Sequence, residues 1–231
     1  MLDTSPCPFR PGIPALDQFP VEVWTRICRQ RWKRLSRQEL SYGHPAGYLP
    51  LRKSIAEYVQ AFRGVRCDQS QVMVLSGTQQ AIDVSARLML NPGDKVLFEN
   101  PGYRTARAAI VAHGAQIVPM PIDEHGAMVG EGIRRGPDAR LAYVTPSHQY
   151  PMGVTLSIER RMELIDWAQA NDAVIMEDDY DSEYRFNGAP IASMQSLTPD
   201  RVIYAGTFSK KLYPALRIGY VVLPKTLTKA F

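Results

Sequence analysis

The sequence has few cysteines, and their placement excludes two common kinds of site. Its 231 residues include three cysteines, Cys7, Cys28 and Cys67, which are far apart and odd in number. This pattern fits neither a disulfide framework nor the paired spacing of a zinc site, so we expect no metal centre. A reducing cytoplasm is the compartment that such a chain favours.

Long apolar runs and dense charge are also missing. No apolar stretch approaches the roughly 18 residues that a membrane helix needs. The start, MLDTSPCPFRPG, lacks the basic and then apolar order of a signal peptide. The formal net charge is +4, and the basic residues are concentrated only over 29–37, which we interpret as a solvated helix face. No helix-turn-helix or finger pattern accompanies that cluster, so we expect a soluble protein that binds neither membrane nor DNA by itself.

The apolar pattern that is present predicts one α/β domain behind an N-terminal helical arm. Residues 6–17 are rich in turn formers, and helical spacing follows over 20–35 and 51–62. Short β-branched runs then alternate with helical ones, which is typical of a mostly parallel sheet with helices on both faces. We assign residues 1–45 to the arm and its helix, and 46–231 to a large domain.

The predicted sheet has seven strands. Their ranges are 71–75, 95–99, 116–119, 141–145, 173–177, 201–205 and 217–222. Further helices are predicted over 79–90, 103–113 and 157–171, the last with Ile158, Met162 and Ile165 facing inward. A sheet of this kind binds its ligand beyond the carboxyl ends of its strands, so the residues that follow each strand are the candidates for chemistry.

A lysine with a distinctive neighbourhood follows the strand 201–205. Lys210 is preceded by the hydroxyls of Thr207 and Ser209 and followed seven residues later by Arg217. Such a group suits an aldehyde cofactor that carries a phosphate: the amine attacks the aldehyde, and the hydroxyls and guanidinium hold the phosphate. Lys211 is out of register with this pattern.

Residues 206–220 resemble the Schiff-base motif of the class I and II aminotransferases, which use pyridoxal 5'-phosphate (PLP) on a fold-type I scaffold. The resemblance implies that Lys210 forms the Schiff base. It also implies that Asp178, after the strand 173–177, faces the ring nitrogen and that Tyr180 faces the ring hydroxyl. A carboxylate there keeps the pyridine protonated and electron-withdrawing. Spacing alone leaves Asp179 open as the alternative partner.

A glycine turn after the first strand matches the phosphate loop of that family. Ser76, Gly77 and Thr78 open a helix whose free N–H groups suit a phosphate. By the same resemblance, Tyr103 stacks on the cofactor ring. Tyr42 reaches the phosphate of a neighbouring subunit, which implies a homodimer.

The segment TPSHQYPMG, residues 145–153, departs from the ordinary aminotransferase pattern. Tyr150 stands where those enzymes carry an asparagine before the proline. A usual contact to the ring hydroxyl is thereby in doubt, and His148 and Gln149 are the alternatives for it. We include His148 among the cofactor-binding candidates.

Several segments of the sequence are similar to the aminotransferase-like part of MocR-type transcriptional regulators of the GntR superfamily. Two of them are YGHPAGYLPLRKSIAEYVQAFRGV and EDDYDSEYRF. The similarity covers nearly the whole chain. In those regulators a DNA-binding domain precedes this part and a small lobe follows it, and we expect both to be absent here. DNA would then be reached only through a domain that this chain lacks.

Two functions remain open. The first is transaminase-type chemistry on an amino acid or amine, with the cofactor on Lys210. The second is an effector sensor with little or no turnover, in which cofactor or adduct binding shifts a dimer's conformation. The sequence does not name the amine.

Overall fold

The structure, a computed structural model, describes residues 12–184 and 191–231. Three features lie outside these residues: Cys7, the first part of the predicted arm and the end of the segment EDDYDSEYRF. Within the described ranges, no helix combines the length and apolar character needed to cross a bilayer.

A mixed sheet of eight strands forms the centre of the domain. The strands are β1 (Val72–Leu75), β2 (Lys95–Asn100), β3 (Gln116–Asp123), β4 (Gly126–Ala127), β5 (Leu141–Val144), β6 (Val174–Asp179), β7 (Val202–Thr207) and β8 (Gly219–Val222). Their order is β1-β8-β7-β6-β5-β2-β3-β4. The expected mostly parallel α/β fold is thus confirmed, with one strand more than predicted, because the two-residue β4 is too short to leave a pattern.

Strand direction explains where the site lies. The pairs β2–β3, β2–β5, β5–β6 and β6–β7 are parallel. β8 is inserted antiparallel between β7 and β1. The carboxyl ends of β1, β5, β6 and β7 therefore meet at one edge of the sheet, where a ligand is expected in an open α/β sheet.

Seven helices surround the sheet within the described residues. They are α1 (Val21–Trp32), α2 (Leu49–Arg63), α3 (Thr78–Met89), α4 (Arg104–Ala112), α5 (Val129–Arg135), α6 (Ile158–Ala170) and α7 (Met194–Leu197). α2 ends at Gly64 in the left-handed conformation, and Ser157 caps α6 by accepting a hydrogen bond from the Arg160 amide. α1 buries none of its residues.

The core is divided by the sheet. On one face α3 and α4 pack their alanines and isoleucines against β2, β5 and β6, and on the other α5 and α6 cover the alternate strand residues. A third cluster lies between α2 and the β7–β8 pair. The predicted inward face of α6 was wrong in part: Ile165 is buried, but Ile158 and Met162 are exposed, and Leu164, Trp167 and Ala168 face the core instead.

Three strand boundaries that bear on the site differ from prediction. β6 continues through Asp178 and Asp179, and β7 continues through Thr207, so these residues belong to the strand ends. Arg217 was predicted to begin a strand, but it has a left-handed backbone with φ of 53°, and β8 begins at Gly219. A side chain that leaves such a turn can point back over the sheet edge.

Candidate functional site

A cleft with a volume of about 940 Å³ lies at the carboxyl edge of the parallel strands. Its walls come from the β1–α3 turn, the ends of β5, β6 and β7, the loop after β5 and the segment 12–20. The volume is in the range of small-molecule and cofactor sites. Most of the residues predicted from sequence lie here: Gly77, Thr78, Tyr103, His148, Asp178, Tyr180, Thr207, Ser209, Lys210 and Arg217.

Asp178 has one carboxylate oxygen bound and one free. The Tyr143 hydroxyl donates to Oδ2 at 2.6 Å, while Oδ1 is buried and has no hydrogen-bond partner among the described residues. Burial raises the pKa of Asp178 to about 6, against the hydrogen bond from Tyr143, which lowers it. A buried acceptor without a donor is costly in a folded protein, and the residue that carries this one lines the cleft.

Asp179, the alternative that spacing left open, is bound on the side of α2. The Arg63 Nε donates to its Oδ2 at 2.7 Å, and the Ser182 hydroxyl donates to the same oxygen at 2.8 Å. The Tyr204 hydroxyl is a third donor. Asp179 does not line the cleft, whereas Asp178 does.

Lys210 also lines the cleft. Its amine donates to the Gly12 carbonyl. Partial burial lowers the pKa of Lys210, while the carboxylates of Asp181 and Asp178 raise it. Lys211 differs: its ammonium pairs with Glu183 and lies 4.4 Å from the centre of the Tyr58 ring.

A small polar hollow lies at the N-terminus of α3. Gly77 has φ of 125°, and a Cβ there would lie 3.6 Å from the Arg217 guanidinium. The first N–H groups of α3 have no intrahelical acceptor, and Gly77 supplies no side-chain cap. Thr207 and Ser209 lie at the adjoining end of β7. Free amides, a helix dipole, two hydroxyls and a guanidinium are the groups that bind a phosphate.

Three tyrosines form a wall of the cleft. The rings of Tyr103 and Tyr150 meet edge to face with centroids 5.5 Å apart, and those of Tyr150 and Tyr180 do so at 6.2 Å. Burial raises the pKa of Tyr180 above its ordinary value. The phenol at position 150, which replaces the asparagine of ordinary aminotransferases, is therefore packed between the two predicted ring contacts.

His148 and Gln149, the alternatives for the missing asparagine contact, have other partners. His148 Nδ1 lies 2.9 Å from Asp181 Oδ1. The Gln149 amide donates to Glu99 at 3.1 Å and to the Pro101 carbonyl at 2.9 Å. Both line the cleft, but Gln149 is directed into the loop.

Two predicted residues lie outside the cleft. Ser76 is exposed, and its amide donates to the Gln80 side chain. Tyr42 has a fully exposed side chain, so its predicted contact with a second subunit stays a prediction. Sequence reasoning also missed Tyr143 and Asp181. Tyr143 occupies a buried strand position, which the pattern assigned to the core, and Asp181 is identifiable only by its contact with His148.

Comparison with known proteins agrees with this geometry. The model of the family "Aminotransferase class I and II" matches residues 12–231. The chain belongs to that family. The probable rhizopine catabolism regulatory protein MocR of Rhizobium meliloti is 43% identical over 225 residues, which are 96% of this chain and 45% of that protein. The domain is thus aminotransferase-like and homologous to both MocR-type regulators and aminotransferases.

Solved aminotransferases share the fold. The multiple substrate aminotransferase of Thermococcus profundus is 34% identical with a TM-score of 0.86, over 94% of this chain and 56% of that one. LysN, the α-aminoadipate aminotransferase of Thermus thermophilus, was solved with N-(5'-phosphopyridoxyl)-L-leucine. It is 29% identical with a TM-score of 0.83, over 95% of this chain and 57% of that one. The chain therefore spans about half the length of the relatives it matches.

Proposed function

We propose that the cleft binds PLP with its aldehyde on Lys210 and that the domain carries aminotransferase-type chemistry on an amino acid or amine. The observation that carries this proposal is that Asp178, whose buried Oδ1 has no partner among the described residues, lines the same cleft as Lys210, Gly77 and Arg217, whereas Asp179 does not. A flat cofactor with a ring N–H at one end and a phosphate at the other satisfies both ends at once.

The residues present fit that cofactor. The hollow between Gly77 and Arg217, with Thr78, Thr207 and Ser209, holds the phosphate. Asp178 Oδ1 accepts the ring N–H, and the wall of Tyr103, Tyr150 and Tyr180 covers the ring. Ser76 lies outside the cleft and its amide already donates to Gln80, so it is given no part in this site.

Bound PLP supplies an aldehyde that condenses with amines and a pyridine ring that withdraws electrons. The residues of the chain itself hold and transfer protons. Burial lowers the pKa of Lys210, which leaves its Nζ more readily neutral and able to attack or to accept a proton. Asp178, held by Tyr143, keeps a proton on the ring nitrogen once the carboxylate is charged.

A titration with PLP tests the proposal. We expect the protein to gain a visible absorption band, Lys210→Ala to abolish it, and Lys211→Ala to retain it. Lys211 is the matched control because it is adjacent and lysine too, but is paired with Glu183 and Tyr58. A band that survives in Lys210→Ala and is lost in Lys211→Ala would show that the lysine is misassigned.

The likeness to the MocR protein favours a second function, that of an effector-sensing domain with little or no turnover. Incubation of the PLP-loaded protein with single amino acids, followed by an assay for keto acid, separates the two. Steady multiple turnovers support the enzyme. At most one equivalent of keto acid, with a lasting spectral change, supports the sensor.

A homodimer is part of the same proposal. Tyr42 is fully exposed and α1 buries no residue, so this end of the molecule offers surface to a second subunit. We expect sedimentation equilibrium to give a dimer mass and Tyr42→Ala to weaken PLP binding. A monomer that binds PLP as tightly as a dimer would contradict the predicted contribution of Tyr42 to a neighbouring site.

A further inference from the structure

Glu99 is a buried carboxylate for which the proposed chemistry has no use. It lies near the end of β2 and is 2% exposed. Its Oε1 accepts from the Thr145 amide at 3.1 Å, and its Oε2 accepts from the Thr145 hydroxyl at 2.6 Å. Burial raises the pKa of Glu99 to about 7. A buried carboxylate is retained against such a cost only where its hydrogen bonds matter.

The hydrogen bonds of Glu99 join two loops that form the cleft wall. Gln149 donates from one amide nitrogen to Glu99 Oε2 at 3.1 Å and to the Pro101 carbonyl at 2.9 Å. The Thr145 hydroxyl, while it donates to Glu99, accepts from the Tyr150 amide at 3.0 Å. The loop after β5 is thereby tied to the loop after β2.

Each of those loops carries one ring of the aromatic wall. Tyr103 is the N-cap residue of α4, directly after the β2 loop, and Tyr150 belongs to the loop after β5. Their rings touch edge to face 5.5 Å apart. A shift of either loop would move both rings relative to Asp178, because the wall is formed from side chains of separate segments.

Glu177 provides an internal comparison. It is also fully buried, burial also raises its pKa to about 7, and it accepts two backbone N–H bonds, from Met194 at 3.0 Å and Gln195 at 2.9 Å. These hydrogen bonds hold α7 in place rather than a cleft loop, and Glu177 does not line the cleft. The two glutamates therefore differ in what they hold and not in their burial.

We propose that Glu99 is a positioning residue for the cofactor: through Thr145 and Gln149 it fixes the Tyr103 and Tyr150 loops at the spacing that a planar ring needs. This inference rests on the proposed PLP function. Glu99 touches no reacting atom. Its contribution is to keep the wall preorganised, which lowers the free energy of ordering on binding.

The test compares Glu99→Gln with Glu177→Gln in the full chain. An amide at position 99 accepts through one oxygen only, and its NH₂ faces either the Thr145 N–H or the Gln149 NH₂, so at least one link breaks in each orientation. We expect the PLP dissociation constant of Glu99→Gln to rise about tenfold, the loss of one hydrogen bond to a charged group. Glu177→Gln should bind PLP as the wild type does.

A second measurement, hydrogen exchange in the apo protein, tests the same role without the cofactor. In the apo protein, Glu99→Gln should speed hydrogen exchange at the Thr145 and Tyr150 amides, and Glu177→Gln at those of Met194 and Gln195. If Glu99→Gln does not fold, Thr145→Val removes the same hydroxyl link at constant shape. Thr145→Ser, which keeps the hydroxyl, should then restore binding and exchange.

The outcomes are separable. A wild type that binds no PLP refutes the proposed function, and the exchange rates then decide whether Glu99 holds the loop. A wild type that binds PLP, with Glu99→Gln within about twofold of it, overturns the positioning role and leaves the function intact. Equal losses of affinity in Glu99→Gln and Glu177→Gln would also overturn it, since both would then reflect general destabilisation.

Discussion

The two sides of the end of β6 use the same residue type in opposite ways. Asp178 and Asp179 are consecutive, and each is 3% exposed. On the α2 side, one oxygen of Asp179 has three donors, from Arg63, Tyr204 and Ser182. On the cleft side, Asp178 has a single donor from Tyr143. Both aspartates keep a buried Oδ1 that has no hydrogen-bond partner among the described residues, so the two sides differ in the Arg63 cation that holds Asp179 and in the cleft that Asp178 lines.

The α2 side extends this network further. Arg63 also donates to the Ser147 hydroxyl at 2.8 Å and to the Ile191 carbonyl at 3.3 Å. The charge of Asp179 raises the pKa of Arg63 although burial opposes it. The guanidinium therefore remains charged and ties α2 to β6 and to the loop beside the cleft.

The largest effect should come from Arg63→Met. It leaves the Asp179 charge buried without its cation, so we expect the free energy of unfolding to fall by about 3–5 kcal/mol in urea denaturation. The double variant Arg63→Met with Asp179→Leu should recover most of that loss, because no charge is left unpaired. A loss below about 1 kcal/mol for the single variant would erase the distinction between the two sides.

The next effect concerns pH. The folded-state pKa of Asp178 is raised to about 6 from 3.8. The folded protein thus binds more protons than the unfolded one in this window, and stability is lost as pH rises from about 4 to about 6. Two pKa units correspond to about 3 kcal/mol. Asp178→Asn should make the fall smaller without abolishing it, because burial also raises the pKa of Glu99 and of Glu177 to about 7. Urea midpoints of the apo protein at several pH values measure the difference.

Asp179 supplies the control for that measurement. Asp179→Asn leaves the buried Arg63 without its carboxylate partner, so it should lower stability at neutral pH, whereas Asp178→Asn leaves no cation unpaired. PLP binding should separate the variants as well, with Asp178→Asn weakened because a neutral amide lacks the negative charge that favours a protonated ring nitrogen. If the pH profile of Asp178→Asn equals that of the wild type, ionisation of Asp178 does not destabilise the folded protein.

The smallest effect compares one glycine on each side. Gly77, on the cleft side, has φ of 125° and ψ of 172°, a region that is almost exclusive to glycine. Gly64, which ends α2, has φ of 65° and ψ of 12°. We expect Gly77→Ala to cost about 1–3 kcal/mol and Gly64→Ala about 1 kcal/mol. Only Gly77→Ala should weaken binding of inorganic phosphate or PLP, measured by calorimetry.

Sequence reasoning could group candidate residues where they are close together in the chain. Thr207, Ser209, Lys210 and Arg217 form one short motif, and the structure brings all four to one cleft. The choice between Asp178 and Asp179 could not be made from sequence, because both follow the same apolar run. It depends on Arg63, which is 116 positions from Asp179.

Other features depended on contacts that leave no local pattern. Glu99 appears as one polar residue at a strand end, and its partners Thr145 and Gln149 are 46 and 50 positions away. The inward face of α6 was misjudged because Ile158 and Met162 are apolar but exposed, while the fully buried Arg161 is charged. Arg161 donates to the carbonyls of Leu156 and Pro146, which no helical period reveals.

The antiparallel insertion of β8 has a consequence for how a ligand and the fold depend on each other. Because β8 returns the chain between β7 and β1, Arg217 comes back beside Gly77, and Gly219 packs against the Gly77 backbone. An anion bound there clamps the beginning of the sheet to its final hairpin. Phosphate alone, without any pyridine ring, should therefore raise the melting temperature, and the rise should continue with the logarithm of phosphate concentration once the site is saturated.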